Sequence, residues 1–317
     1  MGRFILRRLI GMVLVLFAVS VLVFVIFTVI PNGDPAVRMA GKNSTDVQIA
    51  AIRQEWGFND SLPTQYVEMM KRVFTGELIS YTNQTDVIAE IKKGLPRTFA
   101  LAIGAAIIWM VLGIALGLYS AVRAGRFSDR LLTVLALIGI SMPVFWVGAL
   151  MNHYIGFKLG WFPNGGYAPI GEDGLWQWFY HLVMPWTALS LLFIGVYSRV
   201  LRSNVLDTIN DDYVRTARAK GISERRVMIR HVLRNSLIPI VTLWGLDFGV
   251  VIGGGAVLTE TVFDLQGVGQ YFAESISALD VPPVLGVTLL GACFIVILNT
   301  LVDIVYAALD PRIRMSS

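Results

Sequence analysis

Few residues in this chain are placed for bond chemistry. His153, His181 and His231 lie far apart, with none of the short spacings that bring two imidazoles to one metal ion, and each reads as an interfacial or structural side chain. No Ser/His/Asp constellation can be assembled from the sequence. Cys293 is the single cysteine and sits in an apolar run, so neither a disulfide framework nor a cysteine metal cluster is available. The pair Gly41-Lys42 has Ala36 where a phosphate-binding loop needs its first glycine, and Asn43 where it needs Ser or Thr. The sequence therefore gives this chain no catalytic residue, no metal ligand and no nucleotide or other cofactor of its own. Two polar features remain: Asp247, alone in an apolar run, and the basic stretch DDYVRTARAKGISERRVMIRHVLRN from Asp211 to Asn235.

The elements that position them follow from composition. Of 317 residues, 55% are hydrophobic and 15% charged, against about 25% charged in a soluble domain, and the mean hydropathy is +0.65. That is a membrane protein. About 20 apolar residues span a bilayer, and six stretches meet or approach this: 9–30, 98–122, 131–157, 181–198, 236–258 and 281–302. The aromatic run LWQWFY before the fourth suits a membrane–water interface. The first stretch is longer than a secretory apolar region and lacks a small-x-small cleavage site, so it reads as a retained anchor. All 26 Lys and Arg fall outside the six stretches, and nine of them lie at 199–235. Alternate loops are rich in them apart from the long segment 31–97, which puts both termini and the loop 199–235 in the cytoplasm. Segment 31–97 is then extracytoplasmic, with helical apolar spacing at 46–56 and 62–74 and chance-level glycosylation triplets at Asn43, Asn59 and Asn83. The expected architecture is all-α, with six transmembrane helices and a small extracytoplasmic domain after the first. Its parts are a tail and first helix at 1–30, the external domain at 31–97, a five-helix core at 98–310 and a cytoplasmic tail at 311–317.

Inside the basic loop, Asp211 or Asp212 can cap a helix, Gly221 suits a left-handed C-cap, and Ser223 starts a second, amphipathic helix. Three readings of this knob compete. It is a solvated basic loop obeying the positive-inside rule, a DNA-binding helix–turn–helix, or a docking knob for a cytoplasmic protein. Membrane spans on both sides disfavour nucleic acid. Asp247 has two readings of its own: a carboxylate lining a pathway and meeting a substrate's amino group, or a helix–helix hydrogen bond. Gly253-Gly254-Gly255 allows close helix approach or a hinge, with close packing preferred, and Pro143, Pro185 and Pro239 bend or begin helices.

Asp212-Tyr213-Val214-Arg215-Thr216-Ala217-Arg218-Ala219-Lys220-Gly221, followed by His231-Val232-Leu233-Arg234-Asn235-Ser236-Leu237-Ile238-Pro239, resembles the cytoplasmic "EAA" loop of bacterial ATP-binding-cassette importer permeases. The oligopeptide and dipeptide permease family is the branch it most resembles. RFILRRL at 3–9, Gly33-Asp34-Pro35, Ser141-Met142-Pro143-Val144-Phe145-Trp146, and Leu258-Thr259-Glu260-Thr261-Val262-Phe263 with Gly267-Val268-Gly269 are similar to stretches of that family in the same order. Asp303-Ile304-Val305-Tyr306 and Asp310-Pro311-Arg312-Ile313-Arg314 resemble its C-terminal signature. Arg215, Thr216 and Arg234 depart from the general EAA pattern, a departure the peptide branch shares.

The resemblance implies a type I importer fold in the bacterial inner membrane. Two homologous permeases form the pathway, two ATPase subunits bind ATP and Mg, and an extracytoplasmic binding protein delivers peptide. Each loop inserts a coupling helix into an ATPase groove. That role falls on Asp212, Tyr213, Arg215, Thr216, Ala217, Arg218, Lys220 and Gly221, with Arg215, Arg218 and Lys220 facing acidic groups on the partner and Gly221 making the turn. Asp247 is the candidate pathway-lining residue. Nickel or glutathione are alternative cargoes of the same fold. An ion-coupled secondary transporter with Asp247 as its coupling acid is the rival of a different class, and a membrane scaffold or DNA-tethered regulator without substrate flux is a third.

Overall fold

The computed structural model describes residues 2–28, 34–41 and 44–309, with side chains for 10–28, 34–37, 39–41 and 44–302. The family-like Gly33, the Lys42 and Asn43 positions, the run 310–314 and the expected tail 311–317 lie outside the described residues, as do the side chains of 3–9 and 303–306. The described chain is helical, with an isolated antiparallel bridge between Ile79 and Asp86 and no strand among the described residues.

Helix α1 (Gly2–Thr28) is the first span, apolar from Ile10. Three short helices follow. In α2 (Pro35–Ala40), the Asp34 side chain accepts from the Ala36 amide at 2.9 Å and Pro35 stands in the first turn, where its missing N–H costs nothing. A capping box between Thr45 and Gln48 starts α3 (Asp46–Glu55), and Gly76 in the left-handed region (φ +81°) ends α4 (Leu62–Thr75). The second span, α5 (Val87–Val122), begins well before 98. Asp86 caps it, its Oδ1 accepting from Ile88 N at 2.8 Å, and Val87 and Ile91 are buried, so packing recruits a turn region that hydropathy leaves out.

The third span differs from the single helix expected over 131–157. It is two helices, α6 (Phe127–Ser141) and α7 (Val144–Met151, running on as a wide π-helical stretch Asn152–Lys158), whose axes bend by 98°. Pro143 is the cause. It offers no N–H to Gly139 and drives Met142 into an extended conformation (φ −83°, ψ 128°), which stops α6. Five described helices are thus long and apolar enough to span, or six with this bent pair taken as one.

The fourth, α8 (Ile170–Thr208), overruns the expected 181–198 at both ends and is broken near its start at Gly174 (φ +81°). After α9 (Asp212–Ala219) comes the fifth span, formed by α10 (Glu224–Arg226), a π-helical stretch Val227–Leu233, α11 (Arg234–Val250) and a terminal π turn Val251–Gly255. It stops short of 258 because Gly254 leaves helical geometry (φ +139°), while a Cβ on Gly253 would come within 2.6 Å of Ile295. The glycine triplet therefore both packs closely and breaks the helix. Helices α12 (Val257–Val262) and α13 (Val268–Ser277) lead to α14 (Val281–Leu309), whose apolar part Val281–Val302 is the expected sixth span.

The chain forms two compact units. The first comprises residues 1–98, 252–261 and 265–297. Its core joins Val23 of α1 to Val284 and Leu285 of α14, and Leu78, Val87 and Ile91 to Val268. The second comprises 99–251, 262–264 and 298–317. Here α8 packs on α6, α7 and α11. Small residues set those approaches, as is usual where lipid supplies no hydrophobic drive between helices. A Cβ on Gly113 of α5 would come within 2.6 Å of Tyr197 Cβ, and one on Gly195 within 2.7 Å of the Ala136 carbonyl.

Candidate functional site

The knob at 199–235 has its own small core. Helix α9 turns Val214 and Ala217 inward, the following stretch turns in Val227 and Val232, and all four are buried. The reversal is made at Gly221 (φ +74°), where no neighbouring atom lies within 4 Å of a built Cβ, so the backbone conformation rather than space demands glycine. Arg218 closes the turn. Its Nη2 donates to Glu224 Oε1 at 2.6 Å, its Nε to Oε2 at 3.1 Å, and Nη1 reaches the Ile209 carbonyl at 3.5 Å. The Glu224 carboxylate holds the guanidinium pKa above its ordinary value.

The knob is also tied to the helices that flank it. Tyr213 Oη donates to the His231 carbonyl at 3.3 Å and accepts from Asn235 Nδ2 at 2.6 Å. Ser236 Oγ donates to the Asn204 carbonyl at 3.2 Å, and Asn204 Nδ2 to the Ser236 carbonyl at 3.4 Å, which links α8 to α11 at the base. Tyr213 thus ties α9 to the stretch leading into α11, and Ser236 ties α11 to α8.

The residues singled out in the sequence separate into two sets. Asp212, Arg215, Thr216 and Lys220 are exposed, with Asp212 and Arg215 in a loose 3.6 Å ion pair. Thr216 Oγ1 donates to the Asp212 carbonyl at 2.9 Å. Ala217 is buried in the knob's core, whereas Tyr213 and Arg218, though exposed, are held by hydrogen bonds to Asn235 and Glu224. The roles of Asn204, Asn235 and Ser236 escape sequence reading because their partners lie 22 to 32 residues away, and Glu224 because its partner sits across the Gly221 turn. The histidines stay separate: His181 Nδ1 lies 2.9 Å from the Gln177 carbonyl, and the His153 ring stacks on Phe157.

Asp247 lies in the middle of the fifth span, where an unsupported carboxylate costs about 2.5–3.5 kcal/mol on insertion scales. Its partner is Tyr197 of α8, which is fully buried and donates its hydroxyl to Oδ2 at 2.8 Å. Tyr197 stands beside Trp109, which stacks on Phe193 at 4.3 Å.

A second carboxylate in the same unit is missed by hydropathy altogether. Asp129, 3% exposed, receives Arg202 Nε at 2.7 Å and Nη2 at 2.9 Å, the Ser120 hydroxyl, and the Gly125 amide at 2.8 Å. One side chain thus fixes the α5–α6 turn to α8, the helix that leads into the knob. In the first unit Glu260 is fully buried, with Oε2 accepting from the Gln270 amide at 3.0 Å and Oε1 without a hydrogen-bond partner among the described residues. The Gly267-Val268-Gly269 run lies against it, and Val268 N donates to Thr98 Oγ1 at 2.9 Å.

Long apolar helices and a bent span, with a compact polar knob between two of the spans, define a multi-pass membrane protein. Comparison with known proteins names the family. Residues 113–315 match the binding-protein-dependent transport system inner membrane component family, and residues 1–102 match the N-terminal domain of such membrane components. The chain is 36% identical over 315 residues, 99% of its length and 100% of the relative's, to a probable peptide ABC transporter permease protein of Sinorhizobium fredii. It is 37% identical over 316 residues, 99% of both chains, to a glutathione transport system permease protein of Salmonella typhimurium. The corresponding glutathione permease of Escherichia coli is 35% identical over 315 residues, again 99% of both. The chain belongs to the binding-protein-dependent transport system inner membrane components: it is an ABC importer permease of the inner membrane.

Proposed function

We propose that this permease forms half of the translocation pathway of an ATP-driven importer for oligopeptides or dipeptides. It works beside a second homologous permease, two ATPase subunits that bind ATP and Mg, and an extracytoplasmic peptide-binding protein. The observation that carries this reading is the knob, whose outer face presents Asp212, Arg215, Thr216 and Lys220 while its inner face and flanks are locked to α8 and α11. A rigid projection of this kind converts contact with a partner that changes state into differential energy between two permease conformations. The distribution of Lys and Arg between the spans supports a cytoplasmic position for the knob and both termini. Segment 31–97, which carries α2, α3 and α4, is then the extracytoplasmic domain.

Glutathione is the second reading, favoured by the names of two relatives, and it shares an ammonium group and carboxylates with short peptides. Nickel is a third cargo for the same fold. Uptake of labelled tetrapeptide, glutathione and nickel by cells lacking this gene, with and without the wild-type gene restored, separates them. Restored tetrapeptide uptake is expected. Restored uptake of glutathione or nickel alone would reassign the cargo and leave the permease role standing.

A further inference from the structure

The fifth span carries an acidic group with more hydrogen-bonding capacity than the protein around it supplies. Asp247 is half-buried, Tyr197 meets one of its oxygens, and no Lys, Arg or His forms an ion pair with it among the described residues. A carboxylate has about four acceptor sites, so most of its capacity points elsewhere. Along α11 it borders a stripe of exposed or half-exposed apolar residues, Leu243, Leu246 and Val250, while Ile240 and Val251 beside it are buried. Were that stripe turned to lipid, the exposed part of the carboxylate would meet hydrocarbon, which intramembrane acids avoid by facing water or protein.

Tyr197 makes the arrangement directional. It is fully buried, and Gly113 leaves room for its Cβ where any side chain would collide. The hydroxyl therefore holds Oδ2 at a fixed point while Oδ1 is left for another donor. Resting on the peptide reading above, we propose that Asp247 lines the aqueous pathway and receives the primary ammonium of the cargo. An amino-terminal ammonium supplies both the positive charge and the hydrogen-bond donors that the site lacks.

The test compares a labelled tripeptide bearing a free amino terminus with its N-acetyl form, in cells carrying the complete transporter. The wild type is expected to favour the free form by about 10- to 100-fold in kcat/KM, the range of a hydrogen bond to a charged group. Asp247→Asn should remove that preference through a higher KM for the free form, and Asp247→Glu should keep most of it. An Asp247→Asn variant that imports both forms with the wild-type preference would overturn the proposal. Import of neither form by the wild type would overturn the peptide reading and this inference with it. A second arm places Asp247→Cys in a Cys293→Ala background and applies a charged, water-borne thiol reagent. Labelling that the free-amino tripeptide blocks and the acetylated one does not is the expected result. A thiol unlabelled both with and without ATP would mark position 247 as a sealed subunit contact and overturn the pathway role.

Discussion

Arg218 and Glu224 face each other across the turn at Gly221, joined by two hydrogen bonds of 2.6 and 3.1 Å that close the knob's reversal. Both side chains are partly exposed, 37% and 61%, so the pair contributes no more than about 1 kcal/mol to stability. Its effect lies in orientation. Arg218→Ala and Glu224→Ala should each leave expression and membrane insertion unchanged and lower cargo uptake several-fold, while the reversed pair, Arg218→Glu with Glu224→Arg, restores part of the loss. Uptake normalised to inserted protein checks this.

Gly221 is required for its backbone. At φ +74° a β-carbon meets no neighbour but strains the chain. Gly221→Ala is expected to cost about 1 kcal/mol and Gly221→Asn less, because Asn tolerates the left-handed region better than other side chains. Hydrogen exchange across residues 212–233 should rise in the order wild type, Asn, Ala.

Asp129 and Arg202 form a shielded bidentate pair. Asp129→Ala leaves Arg202, together with the Ser120 hydroxyl, short of its acceptor, and should lower stability by about 2–4 kcal/mol. The Tm of the detergent-solubilised protein measures it. Asp129→Glu, which keeps the charge but shifts the fork, should fall between.

Glu260 gives a pH dependence of definite sign. Burial raises its carboxyl pKa above the ordinary 4.5, against the opposing hydrogen bonds from Thr98, Gln270 and Gly269. The folded state then holds a proton that the unfolded chain releases, so this contribution is complete below pH 4.5 and is lost as pH rises through the folded value. Glu260→Gln should flatten the fall of Tm between pH 5 and 8.5 and melt above the wild type at the alkaline end.

The same loop supplies a steric test. Gly267 has φ −83°, open to any residue, yet a Cβ there would fall 2.8 Å from Glu260 Oε1 and closer still to the rest of the carboxyl. Gly267→Ala is therefore expected to destabilise by about 1–3 kcal/mol through overpacking alone. Pairing it with Glu260→Ala, which removes the obstructing group, should recover part of the loss in Tm.

What could be read from the chain alone follows the range of each interaction. Spans 98–122 and 281–302 were legible because hydropathy is local, and so were the Gly221 turn and the start of α9. The 98° bend was not, since Pro143 inside an apolar run also fits a mildly kinked helix and only packing decides between them. Helix α5 begins at Val87 because Val87 and Ile91 find burial against residues near 268, far away in sequence. In the knob, the residue types were visible but their division was not: Ala217 turns into the core, and Arg218 is taken up by Glu224 across the turn rather than left free for a partner. Asp247 was conspicuous as an acid in an apolar run, whereas Tyr197 looked like any aromatic in a span until the two helices were placed together.

The central claim is that nucleotide state reaches the pathway through the knob. It is tested most directly by ATP-dependent peptide uptake into proteoliposomes holding the complete transporter, comparing the wild type with Gly221→Pro at matched reconstitution. Proline fixes φ near −65° and cannot adopt the +74° of this turn. Uptake that requires ATP in the wild type and is lost in Gly221→Pro, with the assembly still binding its ATPase subunits, is the expected result. Equal uptake by both proteins, or uptake by the wild type without ATP, would contradict it.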